Sequence, residues 1–292
     1  MRKKMKQYIY SVLTLTALVT NSVQSQESDP HHHETVSNQV ISQQRQALAQ
    51  NTYGKGFGPQ SPRDIDSKAG QNSRIFAHSG PSTEMNLCNI HFHKNAEHKG
   101  GEFTAYAGNG DGHGYQTGYK YSGMLSALET RPVNNAVCPS DHGSLNPGDT
   151  LEVHYVYSTA QIEPGPTLGA CLSESIKNPQ LRVEAQVYVM VNDSSAGDFT
   201  ELAAHDVRNG LHQALNIPDN TGAPIVYAGS TTGPAYNEDG SPFQVTWSVR
   251  PNVAKVDINT VGEWCDGNTF NEDHAHGVRN LVTNPDLLSD IE

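Results

Sequence analysis

Two histidines that share a face can begin a metal site, because neutral imidazole nitrogens are good ligands for borderline divalent cations. The segment His91-Phe92-His93-Lys94-Asn95-Ala96-Glu97-His98 has that spacing. On a strand, side chains two apart point the same way, so His91 and His93 stand side by side while Phe92 enters the opposite layer. A second segment, Leu151-Glu152-Val153-His154-Tyr155-Val156-Tyr157, alternates likewise and puts His154 on one face with Glu152. Three neutral imidazoles suit Zn²⁺ and leave the ion its full charge, with a fourth tetrahedral position for water. Such a charge lowers the pKa of the bound water from about 15.7 to about 7, giving a hydroxide nucleophile near neutral pH. Glu152 and Glu97 are suited to accept N–H bonds from the ligand rings, which fixes tautomer and direction.

Other polar clusters read more plainly. His274-Ala275-His276, followed by Gly277 and Arg279, repeats the spacing in a polar stretch without a strand signal, and is expected to be a surface or hydrogen-bonding pair. The run His31-His32-His33 is expected in a solvated tail. Gly108 to Gly114 is read as a glycine-rich turn, since no second acidic residue lies at calcium-ligand spacing and no helix clearly follows.

The elements that must position the histidines are short and apolar, with partial alternation. Strands are predicted at 87–93, 151–157, 181–191, 243–249 and 253–258, with short helices at 38–50 and 200–215. Abundant glycine (26) and proline (16) suit many strands joined by turns. The fold expected is mainly β, a single domain around a twisted central β-sheet with a few short helices and long loops. Over 292 residues, 35% hydrophobic and 17% charged, the composition implies a soluble globular protein with one main core. The mean hydropathy of -0.57 agrees. A formal charge of -12 repels phosphate backbones and argues against nucleic acid as a partner.

Arg2, Lys3, Lys4 and Lys6 precede an apolar stretch from Tyr8 to Val19 and a small-residue exit at Val23-Gln24-Ser25. This is the pattern of a secretory signal peptide, residues 1–25, too short in its apolar part to span a bilayer. The mature protein is then expected to be secreted or periplasmic and free of the membrane. A polar lead-in, residues 26–80, precedes a domain at 81–292. The even cysteine set Cys88, Cys138, Cys171 and Cys265, without a C-x-x-C pair, fits two disulfides in an oxidising compartment. The favoured pairing is Cys138–Cys171, closing a loop around 151–157, with Cys88–Cys265 tying an early strand to the end of the domain.

The order of these blocks resembles the delta-class carbonic anhydrases. It runs from H-x-H and Glu97-His98 through Gly148-Asp149-Thr150-Leu151-Glu152-Val153-His154, Gly169-Ala170-Cys171 and Val191-Asn192-Asp193 to Gly229-Ser230-Thr231-Thr232-Gly233 and His274-Ala275-His276-Gly277. The resemblance spans Cys88 to Val282. It implies zinc ligands His91, His93 and His154, with Co²⁺ or Cd²⁺ as possible substitutes on the same nitrogens. It also implies CO₂ and bicarbonate as substrate and product, interconverted by attack of zinc hydroxide on CO₂. More distantly the blocks are similar to the alpha class, whose pattern implies that Thr231 or Thr232 accepts a hydrogen bond from zinc hydroxide and passes its own proton to Glu97. The H-x-H to Glu-His interval is shorter here, and one residue before the Thr-Thr pair is missing. Candidate proton relays are His98, His113 and His142. Two other classes compete: a cupin-like metal enzyme in which Glu97 is a ligand, and a non-catalytic exported protein that binds metal or carbohydrate.

Overall fold

The computed structural model describes residues 35–291 other than residue 75, so the expected signal peptide and His31–His33 lie outside the described residues. Twelve strands and three α-helices follow one another there. Helix α1 is Asn38–Thr52. The strands are β1 (Asn86–Lys94), β2 (Ala105–Tyr106), β3 (Tyr119–Lys120), β4 (Val137–Ser140), β5 (Gly143–Leu145), β6 (Thr150–Ser158) and β7 (Leu181–Val191). After α2 (Phe199–Leu202) come β8 (His205–Arg208), β9 (Leu211–Ala214), β10 (Ile225–Ser230), β11 (Gln244–Val249), β12 (Ala254–Asp257) and α3 (Ile258–Cys265). The five predicted strands are all present, and α1 occupies the predicted helical stretch.

The main sheet has the order β1-β6-β7-β11-β10. β7 is its axis: β6 pairs with it antiparallel, while β11 and β12 run parallel to its first and second halves. Register assigns the faces. His91 lies opposite His154, and His93 opposite Glu152. His154 in turn faces Ala185, Val156 faces Val183, and Val183 faces Trp247. One face therefore carries the histidines and continues into Val183, Ala185, Val245 and Trp247. The other buries Ile90, Phe92, Val153, Tyr155, Tyr188 and Met190 against Phe199 and the α3 residues Ile258, Val261 and Trp264. Helix α3 starts where Asp257 accepts a hydrogen bond from Asn259 N, satisfying one of the free N–H groups of its first turn.

Two expectations need correction. Between 200 and 215 only the four residues of α2 are helical, and the rest is the β8–β9 hairpin. Its two-residue turn is Asn209-Gly210, both in the left-handed region at φ of 55° and 80°. Asn-Gly favours that turn, and this local signal outweighs the helix-forming residues around it. The disulfides are Cys88–Cys171 and Cys138–Cys265, not the favoured pairing. The sheet decides this. Cys88 and Cys171 pack in the histidine-side cluster, whereas Cys138 and Cys265 pack in the opposite one, so Cys138–Cys171 would have to cross the sheet. Cys88 is also the extra residue of a bulge in β1, between the pairs Leu87–Tyr157 and Asn89–Val156, which turns it out of the strand's alternation.

The polar lead-in is ordered where it is described. Arg63 is fully buried beneath the sheet, its guanidinium over the Tyr227 ring at 5.5 Å. It donates to the carbonyls of Ser67, Ala69 and Ser289, so one charged side chain ties the segment before β1 to the segment near 289. Phe92 is the centre of the far layer, edge-on to Phe199 at 6.1 Å and 5.7 Å from Trp264. Phe92→Ala is expected to lower unfolding free energy by about 3–5 kcal/mol, measured by urea denaturation, because the cavity cannot collapse against rings held on both sides.

Candidate metal centre

Because β1 and β6 pair in register, the rings of His91, His93 and His154 converge on one point. One nitrogen from each lies within 4.8 Å of the others. His91 Nε2 and His154 Nδ1 approach to 3.2 Å. The opposite nitrogen of every ring is already engaged. His91 Nδ1 meets Asn89 Oδ1 at 2.6 Å, His93 Nδ1 meets Gly277 O at 3.0 Å, and His154 Nε2 meets Glu152 Oε1 at 2.9 Å. All three partners are acceptors, so each back nitrogen carries the proton and each front nitrogen presents a lone pair. Asn89 is itself oriented, since its amide donates to Gly165 O at 3.0 Å. The buried His93 Nε2 has no hydrogen-bond partner. Three lone pairs that face one another in a buried setting call for a cation, and the nitrogen-only donor set fits Zn²⁺.

The rings of His91 and His93 are kept neutral by their surroundings. Burial, reinforced by the neighbouring imidazoles, pulls the pKa of His91 well below its usual value, and burial pulls His93 down to about 4 despite Glu97 nearby. Burial alone would raise Glu152, but His98 and the hydrogen bonds from His154 and His98 hold it well below the usual carboxylate range. Glu152 is fully buried and saturated. Oε1 also accepts from His98 Nδ1 at 2.6 Å, and Oε2 accepts from the backbone N–H groups of Glu97 (2.8 Å) and His98 (3.1 Å). The turn that supplies those amides begins at Asn95, in the left-handed region at φ 68° and pinned by Nδ2 to Thr117 O. A second convergent group, His98, Glu152 and His154, is this same hydrogen-bonded cluster.

The remaining expected site residues are placed as follows. Thr231 and Thr232 line a cavity of about 310 Å³ together with the three histidines. The Thr231 hydroxyl pairs with the Ser241 hydroxyl. Glu97 is buried, with Oε1 accepting from Arg279 N at 3.0 Å and lying 3.9 Å from His93 Nδ1, while Oε2 has no hydrogen-bond partner. Among the described residues no hydrogen bond joins Glu97 to either threonine, and Glu97 is not among the convergent ligand atoms. Of the expected relays, His98 is sealed between Glu152 and Tyr227, His113 is exposed on its loop, and His142 stacks on Tyr115 at 3.3 Å.

His276, expected as a surface or hydrogen-bonding residue, is partly exposed and bonded to Glu272, and it also lines the cavity wall. The backbone around it adds to the free edge of β1: His276 N donates to Phe92 O at 2.9 Å and Lys94 N to His276 O at 3.3 Å. Its ring centre lies 5.7 Å from that of His91, its side chain is 44% exposed, and Nε2 meets Glu272 Oε2 at 2.7 Å. That bond raises its pKa. The polar sequence concealed the pairing, because an added edge segment need not alternate in hydrophobicity. The repeated H-x-H spacing was the available signal.

The family model described as "CA_like: Delta carbonic anhydrase" matches residues 82–260, a span that contains all three convergent histidines. The chain belongs to the delta carbonic anhydrase family. Among solved structures, similarity is found to the Photobacterium profundum alpha-carbonic anhydrase, at 15% identity over 84% of this chain and 95% of that one, with a TM-score of 0.27. A halotolerant carbonic anhydrase from Dunaliella salina is similar at 14% identity over 75% of this chain and 84% of that one, with a TM-score of 0.29. No curated protein matches. In this carbonic anhydrase the family match covers β1 to β12 and the start of α3, and leaves α1 and the 272–280 segment outside.

Glu152→Gln is expected to weaken metal affinity by about 10- to 100-fold, read from competition with a chelator, because the amide cannot accept both imidazole N–H bonds at full strength. His154→Ala is expected to abolish stoichiometric metal in purified protein, whereas His276→Ala keeps it. In the metal-free protein, the depressed pKa of His93 means that the unfolded chain binds more protons than the folded one between about pH 6.5 and about 4. Stability should therefore fall as pH drops through that window, with a shallower fall in His93→Gln, as followed by urea midpoints.

Proposed function

We propose that this carbonic anhydrase interconverts CO₂ and bicarbonate with a zinc ion held by His91 Nε2, His93 Nε2 and His154 Nδ1. The observation that carries the reading is the set of three inward lone pairs, each fixed by an acceptor behind its ring. A divalent cation bound by three neutral imidazoles supplies Lewis acidity and makes water nucleophilic near neutral pH. The chain's own contribution is orientation and environment. Glu152 holds the His154 ring at Nε2, and through its charge increases the donor strength of that imidazole.

The cavity is divided chemically, as its reaction requires. Val156, Leu181, Val183, Val245 and Trp247 form one wall, apolar and suited to an uncharged linear molecule that makes weak hydrogen bonds. Thr231 and Thr232 also line the cavity and are suited to bond the oxygen atoms of substrate or product. His276 stands where the cavity meets solvent, with Glu272 buried behind it. The net charge of -12 favours departure of anionic bicarbonate. Two disulfides among the described residues support export to an oxidising compartment, and none of the described helices is long and apolar enough to cross a membrane.

CO₂ hydration by purified protein, followed by pH-indicator stopped flow, is expected to track zinc content. A chelator should remove it and Zn²⁺ should restore it. Hydration that persists in His154→Ala at undiminished rate would exclude this centre.

A further inference from the structure

We propose that Gln44, on α1, is a positioning residue for the cavity rim: its single buried amide joins the loops that close over the histidines. The proposal deepens the hydration reading and rests on it. Helix α1 buries Ile41, Gln44, Leu48 and Thr52 along one stripe, and Gln44 brings an amide into that seam at 8% exposure. Both ends of the amide are used. Nε2 donates to Gly112 O at 2.8 Å, and Oε1 accepts from Asn280 Nδ2 at 2.7 Å. Asn280 passes the connection on, since its backbone N–H donates to Asn237 Oδ1 at 2.7 Å.

Each loop so joined contributes to the cavity. The loop containing Gly112 carries Tyr115, the segment before Asn237 carries Thr232, Gly233 and Pro234, and the segment before Asn280 carries His276 and Gly277. Gly277 O is also the acceptor that fixes His93 Nδ1. The loops meet through backbone. Gly114, at φ +102°, lies where a Cβ would come within 2.7 Å of Pro234 Cβ and 2.8 Å of Val278 O, and a Cβ on Gly277 would stand 3.1 Å from the Gly114 backbone. Such contacts fix a distance of closest approach but do not hold the loops together; Val278 N donates to Gly114 O at 2.8 Å, and Arg279 Nε to Tyr236 O at 2.9 Å. The start of α1 grips the same loop, with Val36 N donating to Gly110 O and Asn109 Nδ2 to Val36 O, each at 2.9 Å. The rim is thus tied from outside by a helix that lies beyond the matched family span.

Gln44→Met keeps the shape of the side chain and removes both bonds. In the full chain, hydrogen exchange read by mass spectrometry should become about tenfold faster in segments 110–117 and 276–280, with β6 and β7 unchanged, in the presence and absence of Zn²⁺. The Michaelis constant for CO₂ should rise by about threefold or more, while kcat stays within about twofold and zinc content is retained. Asn280→Ala cuts the same bridge, so the double variant should add nothing to the larger single effect; it also carries the test if Gln44→Met does not fold. Unchanged exchange at the rim, acceleration spread evenly over the sheet, or fully additive effects would each overturn the proposal. If the parent protein fails to hydrate CO₂, the hydration reading falls, and the exchange comparison still decides whether Gln44 ties the rim.

Discussion

An imidazole can offer a lone pair to a metal only while its other nitrogen keeps the proton, and the architecture around this centre follows from enforcing that condition three times. The three acceptors differ in kind: a side-chain amide, a backbone carbonyl and a carboxylate. The carboxylate is the most demanding, because a buried charge without compensating donors costs several kcal/mol. Glu152 therefore draws in the Asn95–His98 turn for two amides and His98 for a ring N–H. His98 then needs Tyr227, whose hydroxyl lies 2.7 Å from Nε2, and that hydroxyl bonds to Ser61 Oγ at 3.0 Å. Satisfying one buried charge thus recruits a strand from the opposite edge of the sheet and a segment that precedes the first strand.

The same logic accounts for the buried arginines. Arg279 is almost fully buried, and its guanidinium donates to the carbonyls of Ser61, Tyr236 and Asp239. Burial draws its pKa down to about 10, which still leaves it charged at neutral pH. With Arg63 it converts loose connecting segments into walls by giving their carbonyls a donor that water would otherwise supply.

What the sequence revealed is what strand geometry encodes locally. Alternation identified β1 and β6, and with them the common face of His91 and His93 and of Glu152 and His154. The failures involve information that alternation does not contain. Disulfide partners depend on which side of the sheet each cysteine occupies, and the bulge at Cys88 alters that side without a compositional mark. His276 is brought to the edge of β1 by backbone pairing, which requires no alternation of polar and apolar residues. The threonine–glutamate connection expected from the alpha-class pattern is absent among the described hydrogen bonds, and the missing residue before Thr231 is the local difference in that block. Gln44 carried no signal, since a glutamine in a helical stripe is indistinguishable by type from its solvated neighbours.

The pairing of the 276 segment with β1 orders the events of assembly. Until that segment arrives, β1 is an open sheet edge, a surface that readily captures strands from other chains. The carbonyl that orients His93 comes from a residue 184 positions downstream. During synthesis, then, two of the three rings can be set while the third still rotates. Closing the vulnerable edge and fixing the His93 ring are one event, because both wait on the same 276–277 segment.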